Sequence, residues 1–238
     1  MLSEVVINLK ENMYEIEKNV EKIQSGRSTG FLMPNVCKEV QKRLRKNEGQ
    51  IFLAYPEAEK VILYSEVLPK IRCYKIECNQ ALKHSSIMGS LFGLNIASET
   101  FGDIVFWKDH FYFFVLEEIA DFVYTHLDMV GKDKIQLVAV AMDSLMDYQR
   151  EYERLEFVVT SLRNDVIIGK IIGCNRKRAQ EVITDGQVFV NYESMEKVNY
   201  VLKEEDIFSI KGHGKFIFKE IIGKTKKDNY IISVWKYL

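Results

Sequence analysis

Between residues 3 and 24, apolar side chains return at alternating intervals of three and four: Val6, Leu9, Met13, Ile16, Val20 and Ile23, with Glu and Lys between them. That period draws one apolar stripe along a helix. A coiled-coil partner is one use for so short a stripe, and packing on the helix's own domain is the expected one. SGRST breaks the period, and Pro34 suits the first turn of a second helix running through VCKEVQKRLRK toward Gly49. IFLAYPEAEKVILYSE then has strand-like ends around a turn at Pro56.

From Ile71 onward the pattern sharpens. IRCYKIEC (71–78) suits a strand, and SSIMGSLFGL (85–94) a helix capped by Ser85 or Ser86. DIVFWKDHFYFFVL (103–116) predicts a hairpin turning near Lys108 and Asp109. EEIADFVYTHLDMVG (117–131) predicts a helix with acids in its first turn and Gly131 at its end, and KIQLVAV (134–140) a closing strand. The order β-α-β-β-α-β is the ferredoxin-like arrangement, which also hosts RNA-recognition motifs. FYFFV falls on the third strand, where such modules place stacking aromatics, but no Arg/Lys-Gly motif precedes it. A buried aromatic strand is the expectation.

LEFVVTS (155–161) reads as a strand leading into a last module. Ser161 is expected to cap a helix from Leu162 to about Ile172, with Val166, Ile167, Ile171 and Ile172 on its apolar face and Gly173 as terminator. After two residues a second helix carries Ala179, Val182 and Ile183 and ends at Gly186, making a helical hairpin. QVFVN follows as an alternating strand with Val188 and Val190 inward, and VLKEEDIFSIKGHGKFIF supplies further strands. The chain is therefore expected to be α+β in three parts. Residues 1–68 form an N-terminal helical α/β subdomain, 69–160 a ferredoxin-like (RRM-like) domain, and 161–238 a helical hairpin with a small sheet.

Composition changes this picture little. With 47% apolar and 28% charged residues, the chain has the profile of a soluble globular protein. It has no membrane-length apolar run and no signal-peptide pattern, so a cytoplasmic location is expected. Cys37, Cys73, Cys78 and Cys174 form no CxxC pair and have no zinc-spaced histidine, so free thiols are expected and no metal site. Charge is more telling. Residues 161–238 hold 14 Lys and Arg against 10 Asp and Glu, while the first 160 hold 19 against 24. A basic C-terminal module on an acidic body hints at a polyanion partner.

The candidate site follows from one conflict. Asn175 reads as an N-cap, so Arg176, Lys177 and Arg178 fill the first helical turn, where the macrodipole disfavours cations by ~0.3–1 kcal/mol each. A solvated face would tolerate that cost. The free N–H groups of the turn, reinforced by cations, would instead hold a phosphate. Arg163 at the preceding helix start, with Lys211, His213 and Lys215 in KGHGKF, could converge on the same face.

SLRND, GCNRKRAQEVITDGQVFVN and LKEEDIFSIKGHGKF together resemble the S4-type RNA-binding domain. Arg163, Asp165, Arg176, Ala179, Ile183, Gly186, Val188, Val190, Asn191 and Asp206 match its pattern. Asn164 stands where leucine is usual, which puts some core packing in doubt, and Asn175 where serine is usual. The resemblance implies an RNA face lined by Arg163, Asn175, Arg176, Lys177, Arg178 and Gln180, and Asn191, Lys211, His213 and Lys215 join the candidate RNA-binding set. YPEAE (55–59) and LKHSSIMGSLFGLNIASETFGDIVF (82–106) extend the likeness to the bacterial YlmH family over most of the chain. That family implies a non-enzymatic protein binding ribosomal RNA of the large subunit and tRNA. It acts in quality control of stalled translation, where peptidyl-tRNA remains on the large subunit and the nascent chain is tailed. No cofactor, small-molecule substrate or membrane partner is implied.

Enzymes that carry the same module leave no trace. The GRLD-like motif of pseudouridine synthases, the nucleotide-binding motifs of tyrosyl-tRNA synthetases and a Gly-rich strand-to-helix turn are all absent from the sequence. GRSTG (26–30) lacks the Lys-Ser/Thr of a P-loop and reads as a loop. His84 is expected to be structural, His110 and His126 are dispersed, and Asp103 reads as a turn former. Two other readings stay open: an RNA-modifying enzyme with its active site in the middle domain, and a protein-interaction adaptor linked to cell division through the N-terminal helix.

Overall fold

The computed structural model describes the backbone of residues 2–46 and 48–238 and the side chains from residue 13 onward, residue 47 excepted. It is an α+β protein that divides into two compact units, Met1–Gln149 and Arg150–Leu238. Among the described residues no helix is long and apolar enough to cross a membrane.

The first unit opens with α1 (Leu2–Gln24) and α2 (Pro34–Arg43). Ile16, Val20 and Ile23 of the apolar stripe pack with Cys37, Val40 and Leu63 in a small core. Met13 is exposed, and the side chains of Val6 and Leu9 lie outside the described residues. Pro34 starts α2 as its fixed φ allows. The segment around Pro56 is bracketed by β1 (Gln50–Phe52) and β2 (Ile62–Tyr64), paired antiparallel.

Then come β3 (Ile71–Glu77), α3 (His84–Gly93), β4 (Phe101–Trp107), β5 (His110–Leu116), α4 (Glu117–His126), a short hairpin of β6 (Met129–Val130) and β7 (Asp133–Lys134), and β8 (Gln136–Val140). The main strands form one antiparallel sheet in the order β4-β5-β3-β8. Lys108 and Asp109 turn the β4–β5 hairpin with φ of 47° and 64°, the double left-handed conformation a two-residue hairpin loop needs.

Three boundaries differ from expectation. Helix α3 begins at His84 with Lys83 as its N-cap and no side-chain cap bond, so neither Ser85 nor Ser86 caps it. Helix α4 ends at His126, and Gly131, with φ of 62°, belongs to the β6–β7 hairpin. Asp103 lies inside β4 rather than in a turn. Its carboxylate accepts from Tyr55 Oη (2.9 Å) and the backbone N–H groups of Glu59 (2.7 Å) and Lys60 (3.2 Å), clasping the YPEAE loop. Burial pushes the Asp103 carboxyl above its ordinary range, with the nearby Glu59 charge adding to the shift.

FYFFV is buried on both faces. Phe113 and Val115 point to the core under α3 and α4, while Tyr112 and Phe114 point to a second core with Phe31 and Tyr55. Tyr55 stacks on Phe114 at 5.3 Å between ring centroids. The N-terminal segment thus covers the sheet face on which bases would have stacked. Close backbone approach secures the cover: a Cβ on Gly102 would lie 2.7 Å from the Phe31 ring, and one on Gly30 2.4 Å from the Glu99 carbonyl.

The second unit comprises β9 (Tyr152–Val159), α5 (Asn164–Ile171), α6 (Arg176–Thr184), β10 (Val188–Val190), β11 (Glu193–Ser194), β12 (Ile207–Ile210), β13 (Gly214–Lys224) and β14 (Tyr230–Tyr237). Its six-stranded sheet runs β11-β10-β12-β13-β14-β9. Strand β9 pairs along its whole length with β14. One sheet face and the inner sides of α5 and α6 enclose a core that includes Ile167, Ala179, Ile183, Val188, Phe208, Phe218 and Val234.

Candidate nucleic-acid interface

Helix α5 begins two residues later than the Ser161 cap would place it. Arg163 holds the N-cap position with extended φ and ψ and makes no side-chain cap bond. Gly173, with φ of 67°, ends this helix, and Asn175 caps the next, its Oδ1 accepting the Arg178 N–H at 2.9 Å. The two helices pack against each other at Gly169 and Ala179, where a Cβ on the glycine would lie in ordinary contact with Ala179 Cβ at 3.5 Å. With Asn175 taking the Arg178 donor, the N–H groups of Arg176 and Lys177 remain the donors at the helix start.

At the centre of this hairpin lies Asp165, wholly buried. Arg163 donates to it through Nε (3.0 Å) and Nη2 (3.1 Å), Arg176 through Nε (2.8 Å), and Gln180 through Nε2 (2.9 Å). Burial alone would raise its pKa. The hydrogen bonds from Arg163, Gln180 and Arg176 outweigh burial and hold it at about 2, so the carboxylate is ionised at any physiological pH. Two guanidiniums on one carboxylate leave a net positive charge, and their side chains remain 36% and 59% exposed. Asp165 therefore orients a cationic pair toward solvent without neutralising it.

The three cations of α6 take different roles. Arg176 is locked to Asp165, Arg178 pairs with Glu181 at 3.1 Å along the helix, and Lys177 is exposed. No acid occupies the first turn. Beside them lies an open groove of about 410 Å³, lined by residues that include Thr160, Lys170, Cys174 and Arg176.

The remaining candidates sit elsewhere in the unit. Asn191, with φ of 49°, spends its amide on structure, Nδ2 donating to Asp206 (2.8 Å) and Oδ1 accepting from the Ile207 N–H (3.1 Å). Lys211 and His213 are exposed in the β12–β13 turn, and the Lys211 N–H donates to Gln187 O, beyond the C-terminal end of α6. Lys215 lies on β13 over the rings of Tyr192 (4.5 Å) and Tyr237 (4.9 Å). The structure thus brings Arg163, Asn175, Arg176, Lys177, Arg178 and Gln180 to one corner, and does not bring Asn191, Lys211, His213 or Lys215 to it.

Asp165 is the member that reading for cations overlooks. Its signal was available, since an acid two residues after Arg163 matched the family pattern. Asn164 is also informative. It is wholly buried, and neither its Oδ1 nor its Nδ2 has a hydrogen-bond partner. In the first unit, His110 bonds Lys108 O and His126 bonds Phe122 O, both within their own local turns. Among the described residues no group of His, Cys, Asp or Glu is placed to hold a metal ion.

Residues 70–144 match a family model described as "Putative RNA-binding domain in YlmH". A protein of Bacillus subtilis (strain 168), "Ribosome-associated protein quality control protein P2", is 31% identical over 153 residues. That alignment covers 64% of this chain and spans 60% of the relative's own length. Among solved structures, "Cell division protein ylmH from Streptococcus pneumoniae" matches at a TM-score of 0.44 and 20% identity, over 58% of this chain and 92% of that one.

Proposed function

We propose that this chain is an RNA-binding protein of the YlmH type, acting without catalysis on the large ribosomal subunit and peptidyl-tRNA in the quality control of stalled translation. In this reading the C-terminal unit is an S4-type module, and the middle sheet with its two helices is a ferredoxin-like domain. The location is cytoplasmic, and the partners are structured large-subunit ribosomal RNA and tRNA. The relative from Bacillus subtilis and the family model over residues 70–144 support the biological setting.

One observation carries the reading: the buried Asp165 that holds Arg163, Arg176 and Gln180 in a fixed array beside a helix start whose first turn has no acid. A carboxylate withdrawn from solvent needs such hydrogen bonds to stay ionised, and two arginines gathered on one carboxylate leave positive charge over for a partner. Guanidinium forks and free helix N–H groups suit phosphate oxygens, and fixing them in advance reduces the ordering cost of binding. Phosphate contacts of this kind position a duplex and make affinity depend on salt.

Replacing Arg176, Lys177 and Arg178 by Ala is expected to abolish co-sedimentation with large subunits while leaving the circular dichroism spectrum unchanged. The slope of log affinity against log salt should become shallower by about 2 to 3 if each cation meets one phosphate. Unaltered sedimentation by a folded triple variant would sink the assignment.

A further inference from the structure

The sheet of the second unit has a second face, turned away from α5 and α6, and its composition is unusual. Side chains alternate along each strand, so Phe216 and Phe218 enter the core while Lys215, Ile217 and Lys219 project from the other side. Register carries the alternation across the sheet. Ile217 stands opposite Trp235, Trp235 opposite Arg154, and Tyr237 opposite Tyr152. The rings of Trp235, Tyr152 and Tyr237 form one run, with centroids 5.4 Å and 5.2 Å apart. Cations border it. Arg154 and Lys219 lie 4.8 and 4.9 Å from the Trp235 ring, and Lys215 lies 4.9 Å from the Tyr237 ring. Glu156 shares this face, and Glu205 pairs with Lys219 at 2.7 Å.

We propose that this aromatic and basic track binds unpaired nucleotides of an RNA strand, making the module two-sided: the helix corner takes a phosphate backbone, and the opposite sheet face takes splayed bases. Trp235, tilted 46° against Tyr152, is the ring on which a base can stack, and the long flexible cations beside it can turn to the flanking phosphates. A lysine over a ring is an exchangeable partner, since a base can replace it on the ring while its ammonium moves to the backbone. The net excess of basic residues in this part of the chain fits a polyanion better than an apolar protein surface. This surface shares no residue with the helix corner, so the two sites fail or stand separately.

The test uses the full chain, fluorescein-labelled dodecauridylate as the unpaired probe and a blunt RNA hairpin as the duplex probe, read by anisotropy. Arg154→Ala with Lys219→Ala is expected to weaken dodecauridylate binding at least tenfold and to change hairpin binding less than twofold. Trp235→Leu should do the same and Trp235→Phe should restore most of the affinity, with circular dichroism confirming that each variant is folded. Replacing Arg176, Lys177 and Arg178 by Ala should show the opposite preference, losing the hairpin and keeping dodecauridylate. Crosslinks from a 4-thiouridine probe should map to β14. Undiminished dodecauridylate binding by the folded Arg154/Lys219 variant would overturn the proposal. So would poly-glutamate binding with the same dependence on Arg154 and Lys219 in place of any affinity for dodecauridylate, because the face would then belong to an acidic protein segment.

Discussion

Asn164 is a side chain whose environment contradicts its chemistry. Its backbone N–H donates to Tyr200 O at 2.7 Å, but its amide group is wholly buried and unbonded. A buried amide without partners costs about 1–3 kcal/mol. Leucine, the residue usual at this place in the pattern the sequence resembles, has the same branched skeleton with two methyl groups in place of the amide oxygen and nitrogen. Asn164→Leu is therefore expected to raise stability by about 1–3 kcal/mol, seen as a higher urea midpoint with an unchanged slope. RNA affinity should not change, because the side chain is wholly buried and makes no hydrogen bond to the cationic corner. Gln180, on the facing helix, shows the converse case: a neutral side chain completes the shell of a buried charge.

At the scale of elements, the α5–α6 hairpin depends on Asp165. The carboxylate belongs to the first turn of α5 and joins it to Arg176 and Gln180 of α6. Its pKa is depressed in the folded state to about 2, against an ordinary value of 3.8. The sign follows from linkage: the contribution is fully present above about pH 4 and is lost as pH falls toward 2. It amounts to about 2 kcal/mol. Asp165→Asn should remove that pH dependence, so the stabilities of the two proteins converge as acid is added. Its effect on RNA separates two physical accounts. Simple charge counting says that deleting an acid strengthens RNA binding. Loss of orientation says that affinity for large subunits falls tenfold or more while weak nonspecific binding rises, and this is the expected result in a sedimentation assay. The hairpin itself was legible from Asn175, Gly173, Gly186 and the apolar spacing, because capping and periodicity are local. The clasp was not, because Arg163 and Arg176 are thirteen positions apart and meet only once the two helices fold back on each other.

At the scale of the whole molecule, β9 completes a sheet whose other strands lie at the far end of the sequence. Tyr152 and Arg154 from this strand also supply part of the aromatic and basic face. A fragment spanning residues 150–238 is expected to unfold cooperatively when expressed alone, because its core is self-contained. A fragment starting at residue 161 would bare the edge of β14 along its full length, and should melt at lower temperature and associate at high concentration. Thermal denaturation with light scattering distinguishes the two. In the first unit, buried thiols report a well-packed core: burial pushes Cys37 up to about 11 and Cys73 up to about 12.

The elements themselves came from the sequence. Helical and strand periods, the Asn175 cap, the Lys108–Asp109 turn and the cationic first turn are set by residues within a few positions of one another. Only the tertiary structure decided which faces those elements present. FYFFV could have been a stacking platform, but Phe31 and Tyr55 arrive from more than fifty residues upstream to cover it. Lys215 could have joined the helix corner, but alternation and register turn it onto the opposite face of the sheet beside Tyr237. Local chemistry chose the strands and helices; the side on which each charge emerges depended on packing between distant segments.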